Sequence, residues 1–309
     1  MSVGEVLLQQ VVNGVALGMM YALLALGFTM VYGIIELINF AHFSVFMTGT
    51  FLGLMVLHLF GFTGSSAALT GLPLVGMLLV IFPVTMALTG MLGVLIERIC
   101  LRPVRGISGT APMITTIGVA FILINLVLMI WGPQSKPFPK IIPDRRWAWG
   151  NAEITLSQVM LAVAGVTLML GLNYLVRRTA LGKAMRATAQ DMDAAKMMGV
   201  DIDRVIVLTF FLGSALAGAG SLFFGFYYGF TAFYIGYTTG LRAFTSAVLG
   251  GIGNVPGAVA GALIIGLIQA LGGQILGVKW TDVIIFSILI TVMVFRPAGL
   301  FGMQAPQKA

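Results

Sequence analysis

The sequence predicts an all-α polytopic membrane protein of about eight transmembrane helices, with broken or re-entrant segments and one short cytoplasmic helix. Three observations carry this. Only 9% of the 309 residues are charged and the mean hydropathy is +1.04, whereas a soluble domain is about 25% charged. Several runs of 18 or more residues hold no charge at all, the length that spans a bilayer as a helix. The short alternating segments of a β-barrel are missing.

The apolar segments run over about 6–32, 38–60, 72–96, 111–131, 157–176, 205–228, 241–278 and 281–297. No Lys or Arg precedes Arg98, so a cleavable signal, which needs a basic start, is not expected. Around the first break lies YGIIELINFAHFSVF, Tyr32 to Phe46, which sets Glu36, Asn39 and His42 beside apolar runs. In lipid, irregular backbone survives only where protein or a watery cavity covers it. That stretch is a candidate wall of a pathway, and an ordinary turn is the alternative. The third segment ends at Arg98, Arg102 and Arg105, and the fifth at Arg177, Arg178, Lys183, Arg186, Lys196 and Arg204. Two spans separate these clusters, so both can lie on one side, and their basic charge marks it as cytoplasmic. An odd number of spans precedes Arg98, which puts the N-terminus outside. The Pro-rich loop from Gly132 to Gln158 then faces outward, with Trp147 and Trp149 at headgroup level.

The seventh segment is too long for one crossing and is interrupted by GGIGNVPG, Gly250 to Gly257. Paired interruptions in two halves of a transporter point to its path, which makes Gly251, Gly253 and Asn254 candidates as well. Glu36, Arg242 and Asp282 are the charges nearest to apolar runs, and a charge inside a membrane is a functional candidate by default. Small residues form rows, Gly213, Ala217, Ser221, Gly225 and Gly229 in one, Gly257 and Gly261 beside Ala258 and Ala262 in another. Such rows let helix backbones approach closely.

The loop over 177–204 concentrates ten of the charged residues. Thr188-Ala-Gln-Asp191 fits a capping box, with Thr188 as N-cap and Asp191 bonding back. Gly199 fits the left-handed residue that ends a helix. About ten residues between them make roughly 15 Å of helix at 1.5 Å per residue. Asp201 then caps the following membrane helix, and Asp203 sits in its first turn. Ala187, Asp191, Ala194 and Met198 share one face, with Ala195 beside it, a small-residue stripe suited to a partner's groove.

Several functions are excluded or disfavoured. The single Cys100 allows no internal disulfide or cysteine-rich metal site, and two histidines, His42 and His58, make no catalytic zinc centre. The net charge of +7 reflects topology rather than nucleic-acid binding. No cluster of histidine, acid and nucleophile suggests an enzyme. A P-loop is absent, because Gly182-Lys183 precedes Ala184 and Arg177 stands where its first glycine belongs.

The segment ATAQDMDAAKMMGVDIDRV resembles the cytoplasmic coupling loop of bacterial ABC-importer permeases of the branched-chain amino acid class. NGVALGMMYALLALGFTMVYGIIELINFAH, ERICLRPVRG, AVLGGIGNVPGAVAGALIIG and RPAGLFG agree, in order along the chain, with the LivH-type subunit of that class. The resemblance implies one permease domain over 1–309 with a coupling loop at 177–204, in the bacterial inner membrane. It implies a second, homologous permease, two cytoplasmic ATPases that bind the ATP, and a periplasmic substrate-binding protein. The chain itself would need no cofactor and hydrolyse nothing. Carried over by position, Asp191, Ala194, Ala195, Met198 and Gly199 match the helix that docks into an ATPase, and Asn39, Phe40, Ala41 and His42 match the NFAH signature near the path. The family commonly continues NFAH with Gly and often an acid, where this chain has Phe43 and Ser44. That departure keeps urea, short amides and aromatic acids open beside branched-chain amino acids as cargo. A passive channel built on the two interruptions is the alternative from another class.

Overall fold

The computed structural model describes residues 3–64, 68–107, 110–149 and 152–302. The chain is mainly helical: α1 (Val3–Ile35), α2 (Ala41–Leu59), α3 (Leu72–Ile96), α4 (Ala111–Trp131), α5 (Leu156–Arg178), α6 (Ala180–Gln190), α7 (Met192–Met197), α8 (Ile202–Tyr228), α9 (Ile235–Gly250), α10 (Val255–Ile275) and α11 (Thr281–Phe295). Among the described residues, eight stretches are long and apolar enough to cross a membrane: α1, α2, α3 with its extension to Val104, α4, α5, α8, α10 and Val278–Phe295. Four short strands complete the fold among the described residues. β2 (Arg146–Trp149) and β3 (Ala152–Thr155) make an antiparallel hairpin, and β1 (Lys136–Pro137) pairs with β4 (Phe230–Thr231).

A chain apolar on every side buries its most enclosed helix and turns the rest to lipid. The enclosed helix is α1, whose residues from Met20 to Leu26 are all buried, packed against α5, α8, α9 and α10. The periphery is α4, α5 and α11, which turn Ile122, Met129, Leu170 and Phe295 outward. Between apolar helices in lipid there is no hydrophobic force to pull them together, so close backbone packing has to hold them. At the crossing of α1 and α10, a Cβ on Gly18 would lie 2.8 Å from Leu263 Cα, and one on Gly266 would overlap the backbone of Gly14 and Gly18. Only hydrogen fits there. The small-residue rows fall at such crossings, Gly213 against Gly27, Ser221 against Gly49, and Gly261 against Ser246 and Gly250.

Two helices start below the surface of the bundle. After α1 ends, residues 36–40 turn back along it, so that His42, at the start of α2, lies against Gly27. Residues 229–234 do the same from the opposite face. Gly229 accepts from Phe138 N–H (2.9 Å) in the loop there, Thr231 is hydrogen-bonded to Thr50, and Gly236 presses on Phe43 and Met47. With 16 residues, α9 is roughly 24 Å long, short of a bilayer core of about 30 Å. The extended descent supplies the remaining depth.

This corrects the seventh segment, which the sequence breaks only at GNVP. The helix that precedes GNVP begins inside the bundle, and GNVP is a tight turn joining α9 to α10. The C-terminal residues cover that turn: Leu300 and Phe301 N–H donate to the carbonyls of Leu249 (2.8 Å) and Gly250 (3.1 Å), and the Asn254 amide donates to Phe301 (2.7 Å). Gly253 lies beside Gly33 near the end of α1. Residues 299–302 therefore share a face with the end of α1 and with α6.

The two basic clusters meet on that face, as expected. After α3 the helix widens into a π turn, Glu97–Leu101, and a 3-10 turn, Arg102–Val104. Arg102 and Arg105 both pair with Asp203 in the first turn of α8, Arg105 at 2.9 Å, and Arg105 also pairs with the fully buried Glu97. Burial pushes the Arg105 guanidinium below its ordinary value, and Asp203 opposes that shift.

Candidate coupling surface and translocation path

The charged loop is two helices and a break. Thr179 caps α6, its hydroxyl accepting from Gly182 N–H (3.0 Å) and donating to the Leu175 carbonyl (2.6 Å). The 11-residue α6 buries Gly182, Met185 and Thr188 on one face, and Arg186 reaches back to the Val176 carbonyl. Asp191 is extended (φ −159°, ψ 112°), and its Oδ1 accepts from the N–H groups of Asp193 and Ala194, both at 2.9 Å. Asp191 thus ends α6 and caps the six-residue α7. The α7 exit closes with two bonds, Val200 N–H to Ala195 and Gly199 N–H to Lys196, both 3.0 Å. Gly199 has φ +84°, the left-handed conformation that such an exit needs and glycine accepts without strain. Asp201 caps α8 through Arg204 N–H (3.0 Å).

The cap assigned to Thr188 is therefore corrected. Thr188 lies within α6, buried, and donates to the Ala184 carbonyl (2.9 Å) in a helix already begun at Thr179. The single helix expected from Thr188 to Gly199 is the last turn of α6, the Asp191 break and α7. Asp191, Ala194, Ala195 and Met198 come together nonetheless. With Ala187, Gln190 and Val200 they line a concavity of about 490 Å³ on the basic face. Met197 and Met198 stand 83% and 85% exposed at its edge, whereas Ala195 is turned inward and buried. Of the stripe, Asp191 and Met198 are exposed and Ala187 and Ala194 half-buried, so these four can meet a partner and Ala195 cannot.

The backbone N–H groups of Phe40, Ala41 and His42 in the NFAH segment are all paired. Asn39 Oδ1 accepts from Ala41 N–H (3.1 Å), the Asn39 carbonyl from His42 N–H (3.2 Å), and Thr116 Oγ1 of α4 from Phe40 N–H (3.2 Å). This is how an irregular stretch is tolerated at membrane depth. His42 is buried against the Gly27 crossing, and its Nε2 has no hydrogen-bond partner among the described residues. Glu36 is exposed, with φ +51°, and its N–H closes α1 on the Tyr32 carbonyl (2.8 Å).

Phe43 takes part in an aromatic cluster with Phe28, Phe40 and Phe244, the Phe28 and Phe244 rings 5.2 Å apart. Its ring lies against Gly240 of α9, and its backbone carbonyl against Gly236. A bulky residue after NFAH is thus accommodated by a glycine across the contact. Beside this cluster an apolar cavity of about 310 Å³ is lined by Phe40, Phe43, Ser44, Phe121 and Tyr237.

The two interrupted regions touch through Gly33 and Gly253, while Asn39 and His42 stand apart from the GNVP turn. In that turn Asn254 caps α10, accepting from Gly257 N–H (3.1 Å). Three features were not read from the sequence. They are the Glu97–Arg105–Asp203–Arg102 network, the descent 229–234, and the pairing of Arg242 with Asp282 (2.8 Å). A buried acid in ERICLRPVR and the solitary Arg242 were the available signals for the first and last.

The sequence profile of the family described as "Branched-chain amino acid transport system / permease component" matches residues 10–293. The chain is 38% identical over 306 residues to the high-affinity branched-chain amino acid transport system permease protein BraD of Pseudomonas aeruginosa, covering 97% of each. It is 38% identical over 308 residues to the permease protein LivH of Escherichia coli, again covering 97% of each. A probable LivH of Methanocaldococcus jannaschii is 26% identical over 298 residues, 91% of this chain and 88% of that one. No solved structure matches. A match over nearly the whole helical bundle, with relatives aligned end to end at this identity, establishes that the chain belongs to the permease component family of the branched-chain amino acid transport systems.

Proposed function

We propose that the chain is one of two related permeases in an ATP-driven importer of branched-chain amino acids, set in the bacterial inner membrane. The observation that carries it is the α7 surface. A six-residue helix is capped at one end by Asp191 and closed at the other by Gly199, and presents Ala194 and Met198 beside a concavity on the basic face. A passive pore has no use for such a feature. Two cytoplasmic ATPases dock there and hydrolyse ATP, and a periplasmic binding protein delivers the solute to the opposite face. The chain holds no cofactor of its own. ATP-driven closure of the ATPases moves α6 and α7, which pack on α1, α5 and α8, and so switches the bundle between outward-open and inward-open states. Asn39 and His42, with Glu36 and the turn of Gly251, Gly253 and Asn254, line or hinge the path.

The test is uptake of L-leucine into liposomes holding this chain with its partner permease, ATPases and binding protein. Uptake is expected only with all components and ATP. Flux through this chain alone without ATP would count for a channel. Uptake of urea or an aromatic acid in place of branched-chain amino acids would replace the cargo and keep the mechanism.

A further inference from the structure

Arg242 is a charge that neither the coupling surface nor the NFAH segment uses. It stands midway along α9, the helix that begins inside the bundle, and its side chain is 19% exposed. An arginine at such a place is costly and marks a functional group unless a full set of partners absorbs it. Besides Asp282 its guanidinium is hydrogen-bonded to the Tyr21 side chain, and its ion pair is a partial one. Nε (2.9 Å) and Nη2 (2.8 Å) both donate to the same oxygen, Oδ1 of Asp282, and that carboxylate is half exposed at the start of α11. The two-oxygen fork that makes arginine–carboxylate pairs strong is not formed.

Several polar side chains gather around it. A cavity of about 270 Å³ is lined by Arg242, Gln10, Gln269, Gln274, Thr281 and Gly273, among others. Gln10 donates to Gln274 (3.1 Å), and the Tyr21 hydroxyl to Gln269 (2.5 Å). The cavity lies between the start of α1 and the end of α10, at the face opposite the basic loops. It thus combines one guanidinium with neutral hydrogen-bonding amides, and the Asp282 carboxylate paired to that guanidinium follows Thr281 of the lining.

We propose that this cavity is a binding site for a small carboxylate-bearing solute, and that it takes an α-amino acid as its zwitterion. The solute carboxylate replaces Asp282 on the fork of Arg242, and the ammonium group takes the freed Asp282 carboxylate. The glutamines and Thr281 receive the remaining polar atoms, and the apolar side chain rests on Leu17 and Val278. An ion pair already formed keeps both charges satisfied when the site is empty and is exchanged for a second pair when it fills. The site deepens the importer reading and rests on it for the identity of the solute.

The purified full chain with Trp131, Trp147 and Trp149 changed to Phe retains Trp280, next to Thr281 of the cavity, as a fluorescent reporter. Titration with L-leucine should change its emission saturably. So should 4-methylpentanoate, which lacks the ammonium group, whereas 3-methylbutylamine, which lacks the carboxylate, should not. Arg242→Gln should weaken L-leucine by about tenfold or more. Asp282→Asn, which keeps an amide oxygen for Arg242 at a half-exposed position, should abolish the preference for L-leucine over 4-methylpentanoate, and it decides the matter if Arg242→Gln fails to fold. No saturable response in the parent chain, or an unchanged preference in Asp282→Asn, overturns the site. If the assembled complex imports L-leucine while the titration stays flat, the site falls and the importer reading stands. A saturable titration in a chain whose complex imports no amino acid leaves the site and overturns that reading.

Discussion

Asp191 and Thr188 show how a single residue's role depends on what its neighbours have already supplied. Both types cap helices, and the spacing between them suits a capping box. Thr179 had started α6 nine residues earlier, so at Thr188 the backbone N–H groups were already paired and only Asp191 had free ones to receive. Propensity was legible and competition between caps was not. Asp191→Ala should cost about 1 kcal/mol of helix start and lower ATP-dependent uptake, with faster amide exchange confined to α7; unchanged exchange would remove the capping role. Under the proposed coupling role, Met198→Asp should release the ATPases on co-purification with the membrane fold intact, since Met198 is exposed. On the opposite face, the hydrogen bond from Arg146 holds the Asp144 carboxyl below its ordinary value. A group lowered by folding contributes stability above its unfolded value and loses it as pH falls through the folded one. The Asp144–Arg146 pair should therefore survive through the ordinary carboxylate range and break only below it. A carbon NMR titration of Asp144 with an unshifted midpoint would contradict this.

At the scale of elements, the eight spans were legible because length and lack of charge suffice to recognise them. The descent 229–234 was not, because Phe230, Ala232, Phe233 and Tyr234 are as apolar as any helix. Its cue is Gly229, left-handed at φ +73°, followed by a helix too short to span. Of the candidate site, the small-residue stripe was readable from spacing, but the concavity and the inward turn of Ala195 were not, since a helix broken at Asp191 does not keep one continuous face. Where α1 crosses α10, the packing gives a direct test. Gly266→Leu should force the helices apart and sharply reduce the melting temperature and yield of the purified chain, while Gly118→Leu in α4, with open space around it, should change neither. Equal effects of the two would refute a backbone contact as the source of cohesion.

For the whole molecule, topology follows from counting. Eight spans alone would return the chain to its starting side, yet residues 299–302 lie with the basic loops, opposite the start of α1. The re-entrant descent with α9 provides the ninth crossing. In a Cys100→Ser background, Arg145→Cys should be labelled by a membrane-impermeant thiol reagent in intact spheroplasts, and Lys196→Cys only after lysis. The reverse pattern would invert the orientation, and labelling of both would break the count. Charge asymmetry made the two basic turns readable as one face. The parity of the C-terminal half needed the three-dimensional path, because the sequence offers no basic cluster between Arg204 and Arg296 to mark sides.

The bonds from Leu300 and Phe301 to the carbonyls of Leu249 and Gly250 also set an order in time. During synthesis α9 and α10 enter the membrane well before residues 300 and 301 exist, and until then the end of α9 has no partner for these two carbonyls. The fold on this face is therefore completed after insertion, by the last-made part of the described chain acting as a latch. A nascent chain halted shortly after α11 should carry every span and still leave the α9–α10 turn open to protease.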